Sequence, residues 1–166
     1  MKCALSVALA KLRPRMPRLL TLIVGDGVMR PAWEAMTRAL DLDDTVRFTG
    51  QVPYTSAPAY FNAMDVVVAP FTAHRGETSP FKVLDALACA RPVVASDLPS
   101  VRPLLESGAL LLVPPDDPAA LAEAVAGLLA DPVHRVAMGW KGRGYIEQHA
   151  SWDRVAAMLA EALARR

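Results

Sequence analysis

The sequence predicts a doubly wound α/β domain of the Rossmann type with about five parallel strands. Three observations carry this. Short apolar runs of four to six residues, too short for helices, recur along the chain. Stretches with helical spacing separate them, so strands and helices alternate. Glycine, proline or an acidic residue punctuates nearly every junction. The length of 166 residues fits one domain.

The elements follow in order. Leu5, Leu9, Leu12 and Met16 lie on one stripe of a first, amphipathic helix, which Pro14 and Pro17 stop. The start, 2–10, also resembles a very short secretory leader, but Lys11, Arg13 and Arg15 follow at once, which favours the amphipathic helix. Residues 19–24 form a continuous apolar strand ended by Gly25-Asp26-Gly27. A helix entered through Pro31 spans 31–40, and a strand spans 45–49, ended by Gly50. A short helical stretch at 56–64 leads to a strand at 65–69, stopped by Pro70. After a polar loop, Ser79 is a candidate N-cap and Pro80 a first helical residue for a helix over 80–90. Strands at 92–96 and 109–113 flank a short helix at 99–106. Asp117, Asp131 and Ser151 are the caps of three closing helices. Trp33, Trp140 and Trp152 lie at helical positions and read as packing residues.

Charge and cysteine usage exclude whole classes. Lys+Arg 18 against Asp+Glu 17 gives +1, no footprint for general nucleic-acid or membrane-surface binding. Cys3 and Cys89 form no disulfide framework, and no His, Cys and acid set has metal spacing, so no metal is expected. The expected compartment is cytoplasmic. No apolar run approaches the 18 or so residues of a membrane span.

Ligands of such sheets bind at the carboxyl ends of the strands. Those ends are Gly25-Asp26-Gly27, Gly50-Gln51, residues 70–79, Ser96-Asp97 and residues 114–117. The stretch Glu77-Thr78-Ser79-Pro80-Phe81-Lys82 runs from a loop into a helix start, where backbone amides attract anions, phosphate above all. Lys82 in a first turn opposes the helix dipole by about 0.3–1 kcal/mol, a penalty an anionic ligand would reverse. Asp85 sits in an otherwise apolar helix and needs a partner. A local Lys82–Asp85 pair, worth a few tenths of a kcal/mol, is the bland alternative. Gly25-Asp26-Gly27 is equally a ligand contact or a plain turn.

Glu77, seven residues, then Asp85, followed by Ala88-Cys89-Ala90-Arg91-Pro92-Val93-Val94-Ala95-Ser96, resembles the donor-site signature of group 1 (family 4) retaining glycosyltransferases. Leu22-Ile23-Val24-Gly25-Asp26-Gly27, Val46 to Val52, Asp65 to Pro70, Leu112 to Pro118 and Ser151 to Val155 agree in order and spacing. The resemblance implies the C-terminal half of a two-domain GT-B fold. It implies that Glu77 meets the donor sugar hydroxyls and Asp85 the ribose hydroxyls. Lys82 and the backbone amides around Ser79 to Phe81, where Pro80 itself has no N–H to donate, would hold the diphosphate, and Gly50 and Gln51 would meet the base. The donor would be a UDP-, GDP- or ADP-sugar, with no further cofactor. The acceptor would be a glycan or a lipid-linked molecule, handled at the inner membrane face.

Three departures matter. The second acid is Asp, Ala90 replaces a usual Gly, and Ser79-Pro80-Phe81 replaces a Gly-Phe-Gly run. By the family's count the first, central strand and the acceptor domain are missing. The expected sheet order is 3-2-4-5-6, with the strands at 19–24 and 65–69 pairing directly. A partner domain or self-association would complete the molecule, and transfer by this chain alone is not expected. The competing readings are a non-catalytic remnant that binds nucleotide or a partner, and a nicotinamide oxidoreductase. The latter needs G-x-G-x-x-G, and Gly25-Asp26-Gly27-Val28-Met29-Arg30 lacks the third glycine.

Overall fold

A computed structural model describes residues 4–72 and 80–165. The elements run α1 (Ala4–Leu12), β1 (Thr21–Val24), α2 (Arg30–Ala39), β2 (Val46–Gly50), α3 (Ala57–Ala63), β3 (Val67–Ala69), α4 (Phe81–Ala88), β4 (Val93–Ser96), β5 (Leu110–Val113), α5 (Pro118–Ala130), α6 (Pro132–His149) and α7 (Trp152–Ala164). Tyr54–Ser56 and Arg102–Ser107 are 3₁₀ turns. The alternation predicted from apolar runs is therefore present; four strands are one or two residues shorter than their runs, and β2 keeps its five residues but is shifted by one, so Gly50 lies within it.

All strand pairs are parallel. Val46 lies opposite Thr21 in the β1–β2 pair, Val93 opposite Val67, and Leu110 opposite Val93. β4 is the central strand of its sheet and all four residues are buried, which explains its Val-Val-Ala-Ser run.

Two apolar clusters cover the two faces. One joins Leu9 and Leu12 of α1 to Val94, Val113, and Leu121 and Val125 of α5, with Ile23, Phe48, Val66 and Val68 packed against it. The other joins Val83 and Leu87 of α4 to Val67, Val93, Ala95, Leu110 and Ile146 of α6.

The predicted caps are in place. Asp117 accepts from the Ala119 and Ala120 amides at 2.9 and 3.0 Å, Asp131 from His134 at 2.9 Å, and Ser151 from Arg154 at 3.3 Å. Each satisfies donors a helix start leaves open.

Three expectations need correction. The sheet is not continuous: β1 pairs with β2, β3 with β4 and β4 with β5, and β1 and β3 do not pair. The order is β2-β1, then β3-β4-β5, so the direct pairing that gives 3-2-4-5-6 does not occur. α1 and α5 set the spacing, because both sheets pack beneath them in one cluster. Secondly, Pro80 is the N-cap of α4 and not its first helical residue. Its carbonyl accepts from Val83 and Leu84 at 2.8 and 3.1 Å, the role of an N-cap. Ser79 lies outside the described residues. Thirdly, Trp140 and Trp152 are 62% and 84% exposed and do not serve as core packing.

Candidate functional site

Within each sheet the strands run parallel, so the carboxyl ends of β1 and β2 lie together, as do those of β3, β4 and β5, and these ends make up the rim. β1 ends there in Gly25, whose φ of +116° few side chains tolerate. Its amide donates to the Gly50 carbonyl at 3.0 Å, and Gly50 has φ +72°. The two turns are thus tied to each other across the ends of β1 and β2. Asp26 accepts from the Gly27 amide at 2.7 Å and from Arg30 at 3.0 Å. Those bonds, the backbone one first, hold its carboxyl below the ordinary carboxylate range. Arg30 also donates to Glu34 at 2.7 Å and lies 5.9 Å from the centre of the Phe48 ring. A Cβ on Gly50 would approach the Arg30 guanidinium to 3.2 Å. Arg30 therefore lies beside Gly50 and is tied to the Gly25–Gly27 turn through Asp26. Gln51 follows, exposed. The sequence reading missed Arg30, although its i, i+4 spacing to both Asp26 and Glu34 was a readable signal.

β3 ends in Ala69, Pro70 and the buried Phe71. The Ser96 hydroxyl, at the end of β4, donates to the Phe71 carbonyl at 2.7 Å and fixes this segment on the rim. The Lys82 ammonium sits 4.8 Å from the centre of the Phe71 ring, a cation–π distance. No ion pair joins Lys82 to Asp85, so the local pair is not formed. Asp85 is half-buried; its backbone carbonyl accepts from the Cys89 amide at 3.1 Å, but among the described residues no hydrogen bond reaches its carboxyl. Burial pushes its carboxyl above the ordinary range. Burial first, then the Asp85 charge, likewise pushes the Cys89 thiol up against the pull of Arg91 and Arg143. Phe81, Lys82 and Asp85 thus share α4, whose first turn follows the end of β3. Glu77 and Ser79 lie outside the described residues.

Ala90, where the resemblance has Gly, adopts φ +54°, a left-handed conformation that costs a side chain free energy. Among the described residues no three His, Cys, Asp or Glu side chains group as metal ligands, and no helix is long and apolar enough to cross a membrane. A cavity of about 230 Å³ lies at the opposite, amino end of β3 and β4, lined by Asp65, Arg91, Arg135 and Trp140. It is not part of the rim.

The sequence profile described as "Glycosyl transferases group 1" matches residues 3–131. The chain belongs to the group 1 glycosyl transferases. Within this group, a phosphatidyl-myo-inositol mannosyltransferase of Mycolicibacterium smegmatis is 36% identical over 157 residues, covering 93% of the chain and 39% of the relative. A D-inositol 3-phosphate glycosyltransferase of Kineococcus radiotolerans is 37% identical over 125 residues, covering 69% of the chain and 28% of the relative. Among solved structures, sucrose-phosphate synthase from Thermosynechococcus elongatus superposes with a TM-score of 0.81 at 27% identity, over 98% of this chain and 42% of that one. Alr3699/HepE of Anabaena, solved with UDP-glucose, superposes with a TM-score of 0.85 at 22% identity, over 98% and 44%, a likeness of fold. This group 1 chain therefore spans well under half the length of these relatives. The GT-B assignment holds, and the oxidoreductase reading falls.

Proposed function

We propose that the chain is the donor-binding half of a retaining, metal-independent glycosyltransferase. Its rim takes a UDP-, GDP- or ADP-sugar. In transfer, the bond from the sugar's anomeric carbon to the diphosphate breaks and one to an acceptor hydroxyl forms on the same face. The acceptor hydroxyl's proton passes to the departing diphosphate, which leaves with its remaining negative charge. Lys82 and the amino end of α4 stabilise that charge, the electrostatic mode of catalysis. Glu77 orients the sugar hydroxyls. Asp85 accepts from the ribose hydroxyls, which relieves a carboxylate that burial disfavours. Gly50 and Gln51 meet the base through their backbone, and the Gly25–Gly27 turn borders the phosphates.

The observation that carries this reading is Lys82 in the first turn of α4 at the carboxyl rim, beside Phe71. Calorimetric titration tests it with UDP, GDP and ADP against their nucleosides. Lys82→Ala weakens the preferred diphosphate about tenfold and its nucleoside by less than about twofold. EDTA leaves both unchanged. Equal losses for diphosphate and nucleoside, or affinity that returns only with a divalent metal, would count against the assignment. The open division between β1 and β3 favours binding without transfer by this chain alone, and completion by a further domain that carries the acceptor.

A further inference from the structure

The cavity at the amino end of β3 and β4 lies away from the donor rim, and its walls are charged. Empty cavities in proteins are lined by apolar groups. This one, of about 230 Å³, has Arg91, Arg135 and Asp65 beside Pro92, Val136 and Trp140. Two of the three charges have partners. Arg135 donates to Asp65 at 2.8 Å and to the Leu128 and Leu129 carbonyls, at the end of α5, at 3.2 and 3.3 Å. Arg91 differs. Among the described residues its guanidinium meets no carboxylate, and its side chain makes one long hydrogen bond, 3.5 Å, to the exposed Asn62. Its Nε is buried with no acceptor. A buried donor left open costs free energy. Two guanidinium groups and one carboxylate leave the wall one positive charge.

The frame around Arg91 is fixed. At the end of α4 the Arg91 amide donates to the Ala86 carbonyl and the Ala90 amide to the Leu87 carbonyl, both at 2.9 Å, with Ala90 at φ +54°. This is a Schellman closure, which sets the direction in which the chain leaves the helix. Gly139 of α6 seats against the Ala90 carbonyl oxygen, where a Cβ would stand at 2.1 Å. That contact brings the next residue, Trp140, to the cavity with Val136, one helical turn earlier; both are exposed. Arg143 lies 6.0 Å from the centre of the Trp140 ring and adds positive potential. The bland role for Arg91 is to offset the dipole at the end of α4. That role uses its charge and leaves its Nε proton unaccepted.

We propose that this cavity is a binding site for a small monocarboxylate with an aromatic or apolar body. The carboxylate meets the Nε edge of the Arg91 guanidinium, whose planar fork matches its two oxygens. Trp140 and Val136 cover the body of the ligand, and the ring of Trp140 offers it a flat apolar face. The charge matches: one uncompensated guanidinium takes one negative charge, whereas a dianion would bring a second beside Asp65. The size matches as well. At about 30 Å³ for each water-sized group, the volume admits a single ring with a short acid arm and excludes a nucleotide.

The test is an NMR titration of the chain at neutral pH with benzoate as the probe. Benzyl alcohol is its neutral counterpart, acetate lacks the ring, and sulfate is the dianion. Benzoate gives saturable shifts at the Trp140 indole N–H and at the Arg91 and Val136 amides, and the other three bind at least about tenfold more weakly. Arg91→Lys keeps the charge but loses the fork, and weakens benzoate about fivefold or more. Trp140→Ala, at an exposed position, also weakens benzoate about fivefold or more. Four results overturn the proposal. They are no saturable shift up to about 50 mM benzoate, benzyl alcohol binding as well as benzoate, sulfate binding as well as benzoate, or unchanged benzoate affinity in a folded Arg91→Lys. The second would make the cavity merely apolar, and the third would make it a site for phosphate-like dianions. The comparison of the four probes needs no variant, so it decides even if Arg91→Lys fails to fold. No nucleotide enters the measurement, so it stands or falls apart from the donor-site reading.

Discussion

At the scale of single residues, Asp85 sets stability against function. Its carboxyl is half-buried, and burial raises its pKa above the ordinary 3.8. The sign follows from linkage. A raised folded-state pKa means the folded chain binds more protons, so stability falls as pH rises through the unfolded value to the folded one, and the full penalty persists above it. Below the unfolded value both states are protonated and the penalty vanishes. Asp85→Asn therefore raises Tm at pH 7 and leaves it unchanged near pH 3, while nucleoside affinity falls because the amide accepts ribose hydroxyls less well. Thermal melts at the two pH values, with a nucleoside titration, check this. An equal Tm change at both would assign the effect to packing. The sequence showed Asp85 as an isolated acid on an apolar helix, which is why it was legible. The i, i+4 spacing of Arg30 to Asp26 and Glu34 is a readable local signal, but its approach to Gly50 across the strands is one that no local pattern encodes.

At the scale of elements, the strands and helix caps were legible because their signals are local: an apolar run, or an acid before proline. The placement of α6 against α4 was not, since it depends on two glycines meeting residues far away in sequence. A Cβ at Gly139 would stand 2.1 Å from the Ala90 carbonyl oxygen, and one at Gly142 would stand 2.7 Å from the Ala109 Cβ. Backbone at Ala90 cannot yield as a side-chain tip would. A Cβ at Gly144 meets nothing within 4 Å. Gly139→Ala should therefore cost about 1–3 kcal/mol by overpacking, lowering Tm by roughly 2–12 °C. Gly144→Ala should stabilise by about 0.5–1 kcal/mol through backbone entropy. Melts of the two variants side by side decide it: similar shifts would mean that helix propensity, not close approach, governs α6. The exposed Trp152, Val155, Leu159 and Leu163 of α7 fall on one stripe, so the amphipathic pattern read there is real but its apolar side is uncovered.

At the scale of the whole molecule, the topology was legible from strand alternation, but the division of the sheet was not. Apolar strands suggest pairing, whereas the helices above decide the spacing. That division has an energetic consequence. β4 is buried along its whole length between two partners, while every residue of β1 is only partly buried and α2 buries Thr37 alone. A two-stranded sheet is marginal by itself and depends here on α1 and α5. The β1–α2–β2 segment should therefore open before the β3–β4–β5 sheet. Native-state hydrogen exchange against denaturant is the measurement. Amides of Ile23 and Phe48 should exchange through a sub-global opening with a shallow denaturant slope, and those of Val94 and Ala95 only through global unfolding with a steep one. A single common isotherm for all four would show that α1 and α5 couple the two sheets into one cooperative unit, and that the break in the sheet does not divide the molecule's stability.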